Sequence, residues 1–281
     1  MKPVVAIIAQ GAMGAGVAAR LTEHGVTVLT SLQGRGKTSA ERAKAAGMKD
    51  VSDDEIAAAD IILSIVPPRD AVALTQRLSP HLTKASKKPV YVDCNAVSPQ
   101  TVIGIGAVID KTGAPFIDAG IIGGPPKKGE RGPVFYYSGG QSPVIDQLND
   151  NGLVFRPLDA AVGAASALKM SYAGITKGLT AIGSAMILSA ERAGAGEALR
   201  AELADSQPML LKYFTRSVPD MFPKAYRWVA EMQEIAGFHG DGPARDMYQA
   251  IAALYQQLAT DEAGEKTDIN TLSAFFEKPQ P

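Results

Sequence analysis

Cysteine is nearly absent: the 281 residues hold one, Cys94. With no partner in the chain, it excludes a disulfide framework and a thiolate zinc cluster. Histidine is scarce too. His24, His81 and His239 stand far apart without ligand spacing, so no metal site is expected. An excess of charge is also missing, with 28 Lys+Arg against 29 Asp+Glu and a formal net charge of -1. Nucleic acid and anionic membranes both call for a basic excess, so neither is expected as a partner. No apolar run long enough to span a bilayer stands out. The opening Met1-Lys2-Pro3-Val4-Val5-Ala6-Ile7-Ile8 is too short for a signal peptide and leads straight into glycines, so it reads as a buried strand. A cytoplasmic location is expected. The length fits about two domains of roughly 100–200 residues each.

What is present is an alternation. Short apolar runs at 4–9, 26–30, 61–66, 90–92 and around Phe116-Ile117 read as strands, with helical stretches from the glycine turn to about His24, at 38–46 and from about Ser98. Strands alternating with helices at this spacing mean crossover units and a mainly parallel sheet, buried on both faces. After Leu158 the strand signals stop. A proline-free stretch rich in Ala, Gly, Ser and Met, about 163–193, predicts one long helix that depends on packing, because each interior glycine costs about 1 kcal/mol relative to alanine. Further helices are expected near 197–216, 223–237 and 242–259, and the polar tail, about 260–281, is expected to fray. The fold class is α/β: an N-terminal Rossmann-type doubly wound sheet (1–162), then an all-α domain (163–281), joined by the long interdomain helix.

Ala9-Gln10-Gly11-Ala12-Met13-Gly14-Ala15-Gly16 follows the first strand and opens the first helix. In that context Gly11, Ala12, Met13 and Gly14 offer backbone N–H groups and a helix N-terminus to a pyrophosphate, although Ala9 stands where the first glycine of the usual fingerprint would be. The alternative is a tight turn needed only for packing. NAD binders usually place an acid at the end of the second strand. Here the sequence is Thr30-Ser31-Leu32-Gln33-Gly34-Arg35-Gly36-Lys37-Thr38, without one. Ser31, Arg35 and Lys37 suit a 2′-phosphate, so NADP (NADPH) is the expected cofactor; otherwise the loop is a solvated basic one.

Gly11-x-Met13-Gly14, followed by Ala18 and Leu21, resembles the start of the β-hydroxyacid and 6-phosphogluconate dehydrogenases. The order of elements agrees over nearly the whole chain. Leu63-Ser64-Ile65-Val66-Pro67-Pro68, Asp93-Cys94-Asn95-Ala96-Val97-Ser98-Pro99 and Ala165-Ser166-Ala167-Leu168-Lys169-Met170 are most similar to a less characterised branch with a phosphogluconate-dehydrogenase-like C-terminal domain. The resemblance implies that Val66 and Pro67 lie along the cofactor and that Asn95 approaches the nicotinamide. Asn95 reads equally well as an Asx turn or the cap of the helix near Ser98. Cys94 reads as a passive core residue.

The family's substrate loop, Asp-Ala-Pro-Val-Ser-Gly-Gly, is here Asp118-Ala119-Gly120-Ile121-Ile122-Gly123-Gly124. Gly123 and Gly124 keep their backbone donors for a substrate carboxylate or phosphate, while Ile122 replaces the serine and makes the pocket more apolar. The resemblance makes Lys169 the general acid/base, a role that suits lysine because burial can lower its pKa. The family asparagine four residues on is Ala173, which leaves Tyr172 or Thr176 to contact substrate or to pack. Arg227 and Glu231 read as a helix-surface ion pair.

The implied activity is an NADP-dependent oxidoreductase that interconverts a carbonyl and a secondary alcohol on a small acid. Two alternatives are an imine reductase on the same fold and a non-catalytic NADP-binding sensor or scaffold. A homodimer through the long helix is expected, since one small helical domain cannot cover so apolar a helix.

Overall fold

The structure is a computed structural model that describes residues 2–140 and 142–277. The chain divides into two compact units, the first ending at Met170 and the second beginning at Ser171. The first unit opens with β1 (Val4–Ile8), α1 (Ala12–Glu23), β2 (Thr27–Thr30), α2 (Lys37–Ala45) and β3 (Lys49–Asp50). It continues through α3 (Asp53–Ala57), β4 (Ile61–Ser64), α4 (Pro68–Lys84), β5 (Val90–Asp93), α5 (Pro99–Asp110) and β6 (Phe116–Ile122). It closes with β7 (Val134–Ser138), α6 (Pro143–Asp150) and β8 (Phe155–Pro157).

These strands form one sheet in the order β3-β2-β1-β4-β5-β6-β7-β8. Strands β3 to β6 run parallel, β7 pairs antiparallel with β6, and β8 is parallel to β7. Continuous apolar strands are what a two-faced sheet requires. Val5, Ile7, Leu63 and Val92 enter one core, while Ala6, Ile8, Ile62 and Tyr91 enter the other. Fully burying each large apolar side chain contributes about 1.5–3 kcal/mol.

Helix α7 (Ala164–Arg192) is continuous for 29 residues. The division into units falls inside it, because its first turns are fastened to β6 and β7. Contrary to the sequence reading, it is long and apolar enough, by length and composition, to cross a membrane. Half of that stretch is buried within the protein.

The second unit continues with α8 (Gly196–Ser206), α9 (Pro208–Met221), a 3₁₀ turn (Phe222–Lys224), α10 (Ala225–His239), α11 (Pro243–Ala263) and α12 (Thr267–Glu277). The helix expected over 197–216 is thus two, broken at Gln207-Pro208, where proline cannot donate a backbone bond. The tail is a second correction. Ile269, Leu272 and Phe275 of α12 are buried, and the Asp261 carboxylate caps its start by accepting from Thr267 N and Ile269 N, both at 2.9 Å. Lys278–Pro281 lie outside the described residues.

Candidate functional site

Strand order reverses between β1 and β4, the switch point where open α/β sheets form a crevice beyond their strand ends. The glycine turn stands there. Gly11 is the N-cap of α1 and offers no side-chain cap, so the first-turn N–H groups of Ala12, Met13 and Gly14 have no side-chain acceptor at the cap. A methyl group added to Gly11 would meet nothing within 4 Å, whereas one on Gly14 would lie 1.9 Å from the Ala9 carbonyl. The turn is therefore tight beneath and open above. A pyrophosphate fits this geometry: donors, a helix N-terminus and free space coincide.

At the end of β2 the amide of Gln10, 1% exposed, donates to Thr30 Oγ1 and, at 3.0 Å, to the Ser31 carbonyl. The Thr30 hydroxyl in turn donates to the Ile7 carbonyl at 2.8 Å. Ser31 is buried, Arg35 half-buried and Lys37 exposed, the last paired with Glu41 at 4.0 Å. An acid missed in the linear reading stands beside this turn. Asp50, at the end of β3, accepts from Leu32 N at 2.9 Å, and only strand pairing brings it there.

Val66 is buried, and Pro67 is the exposed N-cap residue of α4. Asn95, 2% exposed, fastens the two loops together: its Oδ1 accepts from Val66 N at 2.7 Å, and its Nδ2 donates to Ser64 Oγ and Asp93 Oδ2, each at 2.8 Å. The cap of α5 is Ser98, which accepts from Thr101 N at 3.2 Å. Burial, with the charge of Asp118 added, pushes the Asp93 carboxyl up to about 7 against the lowering bonds from Asn95. Burial likewise raises the Cys94 thiol well above its ordinary value, with help from Asp93 and Asp118, which leaves it protonated and inert.

Asp118 of β6 is fully buried and anchors α7. Its carboxylate accepts from Ser166 Oγ (2.7 Å), Gly163 N (2.9 Å), Ser166 N (3.1 Å) and Ser138 Oγ (3.1 Å). Ser138 Oγ in turn accepts from Ala165 N at 3.1 Å. One turn on, Lys169 is half-buried. A methyl on Gly120 would stand 2.8 Å from the Ala165 carbonyl and 2.9 Å from Lys169 Cβ, so glycine is what lets α7 lie directly on β6. Gly123 and Gly124, at the end of the same strand, are exposed.

Tyr172 and Thr176 follow on α7, in the second unit. Tyr172 is 49% exposed. The Thr176 hydroxyl is turned back onto its own helix, donating to the Tyr172 carbonyl at 2.9 Å. Arg227 and Glu231, expected to pair with each other, each have another neighbour. Glu231 pairs with Lys177, whose ammonium also stands 4.8 Å from the Trp228 ring centroid, and Arg227 lies over Tyr226 instead. The partner chosen is the half-buried lysine of α7, which gains more from an ion pair than a solvated arginine would.

Residues 4–151 match the NAD binding domain of 6-phosphogluconate dehydrogenase, and residues 190–258 match a domain of unknown function, DUF1932. A 28.5 kDa protein of Methanothermus fervidus is 32% identical over 159 residues, covering 56% of this chain and 59% of that protein. The match thus spans somewhat over half the length of its curated relative. A conserved protein of unknown function, reported as structurally similar to 3-hydroxyacid dehydrogenases, shares 26% identity over 95% of this chain and 98% of its own, with a TM-score of 0.71. The 3-hydroxyisobutyrate dehydrogenase of Mycobacterium tuberculosis, solved with L-serine, shares the fold at 19% identity, 97% and 99% coverage and the same TM-score.

Sheet order, glycine turn and domain plan define a nicotinamide-nucleotide-binding protein of the hydroxyacid dehydrogenase fold. The chain belongs to the family of the 6-phosphogluconate dehydrogenase NAD-binding domain, and it carries a DUF1932 C-terminal domain.

Proposed function

We propose that this protein is an NADP-dependent oxidoreductase that interconverts a carbonyl and a secondary alcohol on a small acid, with Lys169 moving the proton. The observation that carries the reading is the seat of Lys169, held on β6 by Gly120 one strand from the Asp93–Asn95 loop. The dinucleotide supplies or accepts the hydride. The chain's own work is to bind, orient and protonate. The α1 turn would hold the pyrophosphate, Ser31, Arg35 and Lys37 would bind the adenosine end, and Val66, Pro67 and Asn95 would line the middle. Gly123 and Gly124 offer N–H groups to the substrate's anionic group, with Tyr172 and Thr176 further along α7. Lys169 delivers a proton to the carbonyl oxygen on reduction and removes one from the hydroxyl on oxidation.

One observation favours a second reading. Ile122, half-buried where the family has serine, makes the substrate end more apolar, which suits an imine better than a hydroxy acid. A screen of NADPH oxidation against keto acids, aldehydes and cyclic imines separates the two. General acid/base catalysis is worth about 10²–10⁴ in rate, so Lys169→Ala should cut turnover by that order with NADPH affinity unchanged. Near-native turnover of Lys169→Ala would remove the assignment. If Tyr172→Phe alone abolishes turnover, the phenol is the donor and the imine reading gains. A cytoplasmic location, with neither nucleic acid nor membrane as partner, accords with the balanced charge.

A further inference from the structure

We infer that Asp118 is a positioning residue: with Ser138 it caps α7 from the sheet and thereby seats Lys169 over β6. The inference rests on the proton-transfer role of Lys169 proposed above. A helix start leaves several N–H groups without partners inside the helix, and a Ser, Thr, Asp or Asn at the N-cap normally takes one of them. Here the cap position is Gly163, whose carbonyl accepts the first helical bond, from Ala167 N at 2.9 Å. Glycine has no side chain to offer.

The acceptors come instead from two neighbouring strands. Asp118 and Ser138 are cross-strand partners in the β6–β7 register. Between them they take the N–H groups of Gly163, Ala165 and Ser166, along with the Ser166 hydroxyl. A negative charge at this end also matches the helix dipole. Because the cap belongs to the sheet, it fixes the helix relative to the sheet, which a cap carried on the helix itself cannot do. Two residues beyond Asp118 lies Gly120, against Ala165 and Lys169 Cβ. The cap and the close contact share one short stretch of β6, so a shift of the first turn of α7 moves Lys169.

The test compares Asp118→Asn and Ser166→Ala with the native chain in three measurements. The first, made without cofactor, is the acetylation rate of Lys169 by dilute acetic anhydride, read by peptide mass relative to exposed Lys111. The second is NADPH affinity, and the third is turnover. An amide cannot accept all four donors, and a misplacement near 1 Å can cost about a hundredfold in rate. Asp118→Asn should therefore change the labelling ratio by about threefold or more and cut turnover about tenfold or more, with NADPH affinity held within about twofold. Ser166→Ala, which loses one bond, should move labelling and turnover in the same direction by less. An unchanged labelling ratio in folded Asp118→Asn overturns the inference, and if that variant does not fold, an unchanged ratio in Ser166→Ala does so. Native turnover in Lys169→Ala overturns the proton-transfer reading instead, and the labelling measurement keeps the two failures apart.

Discussion

Single residues at this site differ in how openly the sequence declares them. Lys169 stands out because it sits amid Ala, Leu and Met in a stretch poor in charge, and that signal needs no tertiary information. Asp118 gives no such signal. Its role exists only once β6, β7 and α7 meet, and the nearest hint is the missing cap at Gly163. Lys177 is the same case: its half-buried pair with Glu231 exists only once α7 and α10 meet. Asp93 carries a prediction of its own. Its carboxyl titrates near 7 in the folded chain, above the roughly 3.9 of an unfolded one. Between those values the folded state holds a proton that the unfolded state has lost. The contribution to stability is therefore complete below about pH 4 and declines by about 1.4 kcal/mol per unit as pH rises toward 7. Urea midpoints at pH 5, 6, 7 and 8 should show native stability falling relative to Asp93→Asn until about pH 7 and then running level. Parallel curves across that range would refute the shift.

At the scale of elements, the α/β half was legible because continuous apolar runs between glycine and proline breaks mark buried strands. Strands β3, β7 and β8 were not: two- and three-residue strands carry no periodic signal, and Val134–Ser138 falls outside the strand–helix alternation because β7 pairs antiparallel with β6. Missing β3 had a consequence, because it hid Asp50 beside the turn after β2. Asp50 bears on the cofactor expectation, which rested on the absence of an acid after β2 and now rests on the two cations alone. Asp50 accepts from Leu32 N through Oδ1, and the cations of that turn are Arg35 and Lys37. The Lys37 side chain is 91% exposed and its pair with Glu41 is long, a geometry worth about 0–1 kcal/mol at most. Arg35 is half-buried and presents a rigid fork that matches phosphate oxygens. NADPH should bind about tenfold or more tighter than NADH, a difference of about 1.4 kcal/mol, and Arg35→Ala should erase more of it than Lys37→Ala. Fluorescence titration with both cofactors measures this. Equal affinities in the native protein would reject the preference.

For the molecule as a whole, the exposed face of α7 bears on assembly. Tyr172, Ile175, Ile182 and Met186 are 49%, 69%, 52% and 59% exposed, and half-buried Leu179 lies between them. Their spacing of three, four, three and four residues is the heptad seam along which two helices interlock. The opposite side of the same helix is filled from within the second unit, where Tyr248 and Phe214 pack against its glycines. Among the described residues no helix covers the seam, and burying each of these side chains would contribute about 1.5–3 kcal/mol. A second copy of the chain offers the same stripe, and a two-fold contact makes one apolar face sufficient for both. We predict a homodimer of twice 29.4 kDa by light scattering at micromolar concentration. Ile182→Glu should halve the mass, because it sets two carboxylates against each other near the seam's centre, while far-UV dichroism stays unchanged. A native protein that scatters as a monomer at that concentration would rule out the dimer and leave the seam to some other partner.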